Sequence, residues 1–183
     1  MNRHRGTGTT AAETSIVIRP FEDRDATSVQ ALFVAVNRLL APPALREAFE
    51  AYIARARAEE IDRIGAYYAE HHGGFWVALR ATMLVGMFGL ERAGADSFEL
   101  RRMYVAPQAR RSGIARRMLH FAEDECRRRR ARRLELSTSE LQPAALALYR
   151  AAGYRLLHEV IAEQSNNKTF GSGLRRYHFE KPV

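Results

Sequence analysis

The run from Met103 to Leu119 limits the possible folds more than any other part of the chain. Met103-Tyr104-Val105 reads as the end of a strand, Pro107 as a turn, and Arg110-Arg111 as a small basic loop. A helix is expected from Ser112 to Arg130, because Ile114, Met118, Phe121, Ala122 and Cys126 fall on one face of a 3.6-residue period. A strand followed directly by an amphipathic helix, with another strand at Leu134–Thr138, makes a βαβ crossover. A helix that opens behind two arginines turns free N–H groups and its positive dipole end toward an anion.

The flanking pattern extends this unit in both directions. Ile16–Pro20 reads as a first strand and Asp23–Leu40 as a helix, broken at Ala41-Pro42-Pro43. Leu45 to about Glu70 has apolar residues at helical spacing, as one long helix or two broken ones, ending at His71-His72-Gly73-Gly74. Phe75–Leu79 and Met83–Glu91 form a hairpin, and Ala93–Asp96 turns the chain into a further antiparallel strand, Ser97–Val105. Pro143 and Gly153 bracket a last helix in the positions of an N1 proline and a C′ glycine. Tyr154–Ile161 and Arg176–Phe179 read as two closing strands, joined by a long loop over Asn166–Gly173 that is expected to be mobile.

A chain of 183 residues suits a single domain, assigned to residues 15–183 behind a polar, flexible tail over residues 1–14. With no apolar run of membrane-spanning length and no signal-like segment, the expected location is cytoplasmic, and neither a membrane nor a nucleic acid is expected as partner. The formal charge of +8 is carried almost wholly by arginine, since Lys168 and Lys181 are the only lysines. The arginine run at residues 127–133 reads as a solvated helix end rather than a nucleic-acid patch. Cys126 has no partner for a disulfide and reads as a buried structural thiol, and the six histidines show no metal-ligand spacing.

Arg110-x-x-Gly113-x-Ala115 fits the Q/R-x-x-G-x-G/A signature of the GNAT (Gcn5-related N-acetyltransferase) superfamily, and the chain resembles that family. The segment Gln142-x-x-Ala145-x-x-Leu148-Tyr149-x-x-x-Gly153-Tyr154 resembles a second family motif, with Gln142 standing where asparagine is usual. Thr138-Ser139-Glu140-Leu141-Gln142 is similar to the camello-like branch. The resemblance implies an α/β fold with a mixed α+β sheet: a GNAT-like acyl-CoA N-acyltransferase fold whose central, mostly antiparallel, splayed sheet is flanked by helices. It implies acetyl-CoA as co-substrate, no metal, and transfer of the acetyl group directly to a primary amine of a small molecule or protein. Whether the molecule is a monomer or a homodimer stays open. A non-catalytic acyl-CoA-binding regulatory module is the alternative.

The same resemblance assigns cofactor contacts to Met103, Tyr104, Val105, Arg110, Arg111, Ser112, Gly113, Ile114, Ala115, Arg116, Gln142 and Tyr149. Gly113 and Ala115 keep side-chain bulk away from phosphates, and the arginines supply charge. Tyr149 is expected to protonate the departing thiolate, its other reading being a core tyrosine. Glu99, six residues before Val105, is the first candidate base, with Glu91 second. Either glutamate has the alternative role of pairing with a nearby arginine. The acceptor is expected among the first helices, Glu99 and the 166–173 loop, with Arg175 or Arg176 suited to a carboxylate on the amine.

Overall fold

The computed structural model describes residues 15–183, so the tail expected over residues 1–14 lies outside the described residues. Seven strands form one sheet: β1 (Ile16–Pro20), β2 (Gly74–Arg80), β3 (Met83–Arg92), β4 (Ser97–Val105), β5 (Arg133–Ser139), β6 (Arg155–Ala162) and β7 (Leu174–Pro182). Their order across the sheet is β1-β2-β3-β4-β5-β7-β6. Only β4 and β5 run parallel; every other neighbouring pair is antiparallel. The mixed, mostly antiparallel sheet read from the sequence is therefore present.

The helices are α1 (Ala26–Leu40), α2 (Arg46–Glu59), α3 (Ile64–Glu70), α4 (Ile114–Arg128) and α5 (Pro143–Ala151). The helical stretch after Pro43 is broken rather than continuous. A 3-10 turn at Ile61–Arg63 separates α2 from α3 and leaves Glu60 at the corner, with no solvent exposure.

Helix α4 buries Ile114, Met118, Leu119, Ala122 and Cys126 against the sheet, as its periodicity requires. It starts at Ile114 rather than Ser112. Gly113, at φ 79°, is the cap, and the Ser112 hydroxyl instead donates to the Ala109 carbonyl at 2.6 Å. Its arginine-rich end is held by Arg127–Asp124, Arg128–Glu125 and Arg129–Glu125 pairs at helical spacing. Cys126 is fully buried and unpaired, and its surroundings push the thiol up to about 12, which keeps it protonated and inert.

The 166–173 loop is fastened rather than loose. Asn166 and Thr169 form a bridge, and Phe170 is buried against α2, 4.5 Å from the Phe49 ring. A burial anchor in a polar, Gly-rich segment is hard to see from composition alone.

Candidate active site

Three local structures converge on the middle of the sheet, where β4 meets β5. The first is the start of α4. The first intrahelical bond runs from the Arg117 N–H to the Gly113 carbonyl, so the N–H groups of Ile114, Ala115 and Arg116 have no partner within the helix. A Cβ built on Gly113 would meet nothing within 4 Å, so the helix end faces open space. Arg110, Arg111, Ser112, Gly113 and Arg116 are all exposed there. Arg80 at the end of β2 joins them, its guanidinium 3.4 Å from the Ser112 hydroxyl. Nothing in the sequence spacing marks Arg80. This concentration of amides and guanidinium groups fits a diphosphate.

The second is a bulge in β4. Gly89 pairs with Arg101 and Met87 with Tyr104, so Arg102 and Met103 together oppose Phe88 alone. Arg102 takes the left-handed conformation at φ 53°, uncommon for a residue with a side chain. Its buried guanidinium donates to Glu60, to the Tyr52 hydroxyl and to the Asn167 carbonyl. Glu60 also receives Arg101 Nη2 and the Tyr68 hydroxyl, each at 2.7 Å. Burial alone would raise the carboxyl of Glu60. Arg102 and Arg101 outweigh that and hold it below the usual range. Glu91, the second candidate base, belongs to this network through Arg101 at 2.7 Å and the Tyr67 hydroxyl at 3.1 Å. Glu91 thus pairs with an arginine, the alternative given for it above, whereas the partner of Glu99 is a lysine.

The third is a splay. β4 and β5 pair only from Ser97–Arg133 to Leu100–Leu136, yet β4 runs on to Val105 and β5 to Ser139. Beyond Leu100 no strand among the described residues lies against the edge of β4 that faces β5, and Met103, Tyr104 and Val105 lie on this edge. A linear ligand carrying amides can pair there as an added strand.

Beside the splay lies a hollow of about 570 Å³, with Glu99, Glu135, His178, Lys168 and Arg176 in its wall. Two smaller hollows continue from it toward Tyr52, Tyr104, Gln142 and Ser139. Two carboxylates in the wall of the large hollow, Glu99 and Glu135, stand directly opposite one another on β4 and β5, and Glu91 and Glu180 continue the row on the neighbouring strands outside the hollow. Glu99 is ion-paired with Lys168 from the 166–173 loop. Arg176 enters the hollow and donates to the Lys168 carbonyl at 2.9 Å and to the Ser137 hydroxyl, whereas Arg175 points away to Glu159. The arginine pair named from sequence is thus divided between the two faces of β7.

Gln142 caps α5, and its amide oxygen accepts a 2.7 Å bond from the Thr138 hydroxyl, leaving its NH₂ group for the hollow. Tyr149 lies on α5, buried against Tyr154 and Phe179 at ring distances of 5.8 and 6.2 Å. Burial, reinforced by the Tyr104 phenol, pushes the Tyr149 phenol well above the ordinary tyrosine range. It stays protonated at neutral pH. The structure thus joins the α4 loop, the β4 edge, Glu99 and Gln142 around one splay, and Tyr149 is buried behind it with its phenol close enough to Tyr104 on the β4 edge to feel that group's charge.

A family model described as the acetyltransferase (GNAT) family matches residues 41–154, which span α2, the bulge, the α4 loop and Tyr149. The chain belongs to the GNAT family. Among GNAT relatives, "Probable N-acetyltransferase 14" of Xenopus tropicalis is 31% identical over 102 residues, covering 55% of this chain and 50% of that protein. "Probable N-acetyltransferase camello" of Xenopus laevis is 28% identical over 110 residues, covering 58% and 50%. The chain therefore spans about half the length of the curated relatives it matches. The structure of "yncA, a putative acetyltransferase" from Salmonella typhimurium, solved with its cofactor acetyl-CoA, aligns with a TM-score of 0.69 at 16% identity. That alignment covers 92% of this chain and 94% of the other.

The features of the candidate site that sequence reasoning missed are Arg80, the Arg102–Glu60 lock and Lys168. Lys168 alone carried a signal, as one of two lysines in an arginine-rich chain. No group of three or more His, Cys, Asp or Glu residues among the described residues is placed to hold a metal ion.

Proposed function

We propose that this chain is an acetyl-CoA-dependent N-acetyltransferase acting on a primary amine of a small molecule or protein. The observation that carries the reading is the parting of β4 from β5 beyond Leu100, between the arginine-rich start of α4 and a hollow with Glu99 and Glu135 in its wall. Bound there, acetyl-CoA would supply the thioester that serves as acyl donor.

The residues divide the work as follows. The N–H groups of Ile114, Ala115 and Arg116, with Arg80, Arg110, Arg111 and the Arg116 side chain, hold the phosphates. The open edge from Arg101 to Val105 pairs with amides of the pantetheine arm, and the Gln142 NH₂ group adds a donor. A backbone N–H near Met103 polarises the carbonyl under attack, where charge develops. Glu99, flanked by Glu135, attracts the ammonium of the acceptor and takes the proton it must lose. Tyr149 returns a proton to the thiolate. Arg176 finds no carboxylate partner among the described residues, which favours an acceptor carrying an anionic group.

Calorimetry with acetyl-CoA, paired with a thiol-release assay over a panel of amines, tests the reading. Saturable binding and release with at least one amine are expected. Tyr149→Phe should keep the affinity and lose about 10²-fold or more in turnover. Binding without release from any amine would leave the non-catalytic module in its place.

A further inference from the structure

We propose that Lys168 is itself an acyl acceptor, acetylated at Nζ within its own chain. The inference rests on the acetyltransferase reading above and adds a modification site to it.

A guanidinium stays protonated at any physiological pH and is a poor nucleophile, whereas a lysine amine can shed its proton and attack a thioester. This chain carries its cations as arginine except at Lys168 and Lys181. Lys181 is bound to Glu123 of α4 at 2.9 Å and covers the Tyr154 ring, on the opposite side of the sheet from the hollow. Lys168 stands inside the site. Its ammonium rests on Glu99, the carboxylate placed to receive an acceptor's proton, and its side chain lines all three hollows beside the splay.

Its backbone is fixed from both sides. The Lys168 N–H donates to Asn166 Oδ1 at 2.7 Å, and Arg176 donates to its carbonyl at 2.9 Å. Phe170, two residues on, is wedged against Phe49 and Tyr52. Holding an amine against its base in this way removes most of the ordering cost of the reaction.

The balance is simple. One ammonium proton passes to Glu99 and on to solvent, and the nitrogen lone pair forms the N–C bond to the thioester carbonyl. The C–S bond breaks and its electron pair leaves on sulfur, which is protonated to a thiol. A second nitrogen proton is released as the amide forms. Nothing is oxidised or reduced. The product is a neutral amide, so Glu99 loses its internal cation.

The test incubates the purified chain with acetyl-CoA and follows each lysine-containing peptide by mass spectrometry, with calorimetric affinity measured in parallel. Expected is one acetyl increment on the Lys168 peptide, with a rate per molecule that does not change on dilution. Lys181 should stay unmodified, and a short acetyl thioester without the nucleotide should modify the two lysines alike and slowly. Lys168→Arg should abolish the increment while keeping acetyl-CoA affinity within about twofold. Glu99→Gln should slow the increment at least tenfold, again with affinity kept. The proposal is overturned if acetyl-CoA binds and releases thiol with external amines while Lys168 stays bare. Equal labelling of Lys181, or a rate that rises with protein concentration, overturns it too. Absence of acetyl-CoA binding would remove the acetyltransferase reading together with this one.

Discussion

Glu60 and Arg102 lie 42 residues apart, yet Arg102 Nη2 reaches Glu60 Oε2 at 2.7 Å in a setting where Glu60 has no exposure. The pair ties the corner between α2 and α3 to the one left-handed residue of β4. Left-handed backbone at a side-chain-bearing residue costs about 1–2 kcal/mol, and this buried contact offsets it. The edge that follows, Met103 to Val105, takes its direction from the bulge.

Removing Glu60 leaves two buried guanidinium groups without their shared carboxylate. Glu60→Ala should therefore cost about 3–5 kcal/mol in urea unfolding. In whatever folded protein remains, acetyl-CoA affinity should fall as well, because the bulge loses its anchor. Unchanged stability would show that Arg101 and Arg102 find other partners.

Two glycines offer a paired test of packing. A Cβ on Gly89 would sit 2.3 Å from the Tyr68 hydroxyl oxygen and 2.4 Å from its ring, and Tyr68 is buried and bonded to Glu60. Gly89→Ala should destabilise by about 1–3 kcal/mol. Gly65, in α3, has nothing within 4 Å of its Cβ position, and Gly65→Ala should gain about 0.5–1 kcal/mol. Thermal melts of the two variants should move in opposite directions.

The start of α4 predicts a salt signature. Arg110 and Arg111 are exposed and free of carboxylates among the described residues, so their contribution is screened over about 10 Å at 0.1 M salt. Arg110→Gln with Arg111→Gln should weaken acetyl-CoA binding and flatten its dependence on ionic strength. A parallel slope in wild type and variant would separate these arginines from the phosphates.

His178 gives a pH window. Burial lowers its pKa, with help from His158, Arg176 and Lys168 and against the pull of Glu99. The folded state therefore favours the neutral ring. Its contribution to stability is complete above the unfolded value of about 6.5 and declines as pH falls below it toward the folded value. Glu60 and Asp25, both held below their usual ranges, add their losses only at lower pH, below about 4. Urea midpoints should thus fall in two stages on acidification, and His178→Asn should remove the first.

The features legible in the sequence were those encoded locally. The periodicity of Ile114, Met118 and Cys126 located α4, Pro143 and Gly153 bracketed α5, and the R-x-x-G-x-A spacing marked the loop at the start of α4. Features made by distant contacts were not legible. Arg102 reads as one more arginine until Glu60 meets it, and Lys168 reaches Glu99 across 69 positions. The 166–173 segment looked mobile because its composition is polar and Gly-rich. Phe170, the Lys168–Glu99 ion pair and the Arg102 bond to the Asn167 carbonyl all tie it to distant parts of the chain. Arg176 and Arg175 are neighbours in sequence, but strand alternation sends them to opposite faces.

The parted strands also act as a ruler. From the end of the β4–β5 seam at Leu100 to the end of β4 at Val105, the free edge spans about 16 Å at roughly 3.3 Å per residue. The helix start lies just beyond. On the reading proposed above, a donor gripped by its phosphates at one end presents its reactive carbon to the acceptor only if its arm suits that edge. Length would then discriminate among activated acyl groups before any recognition of the acyl group itself.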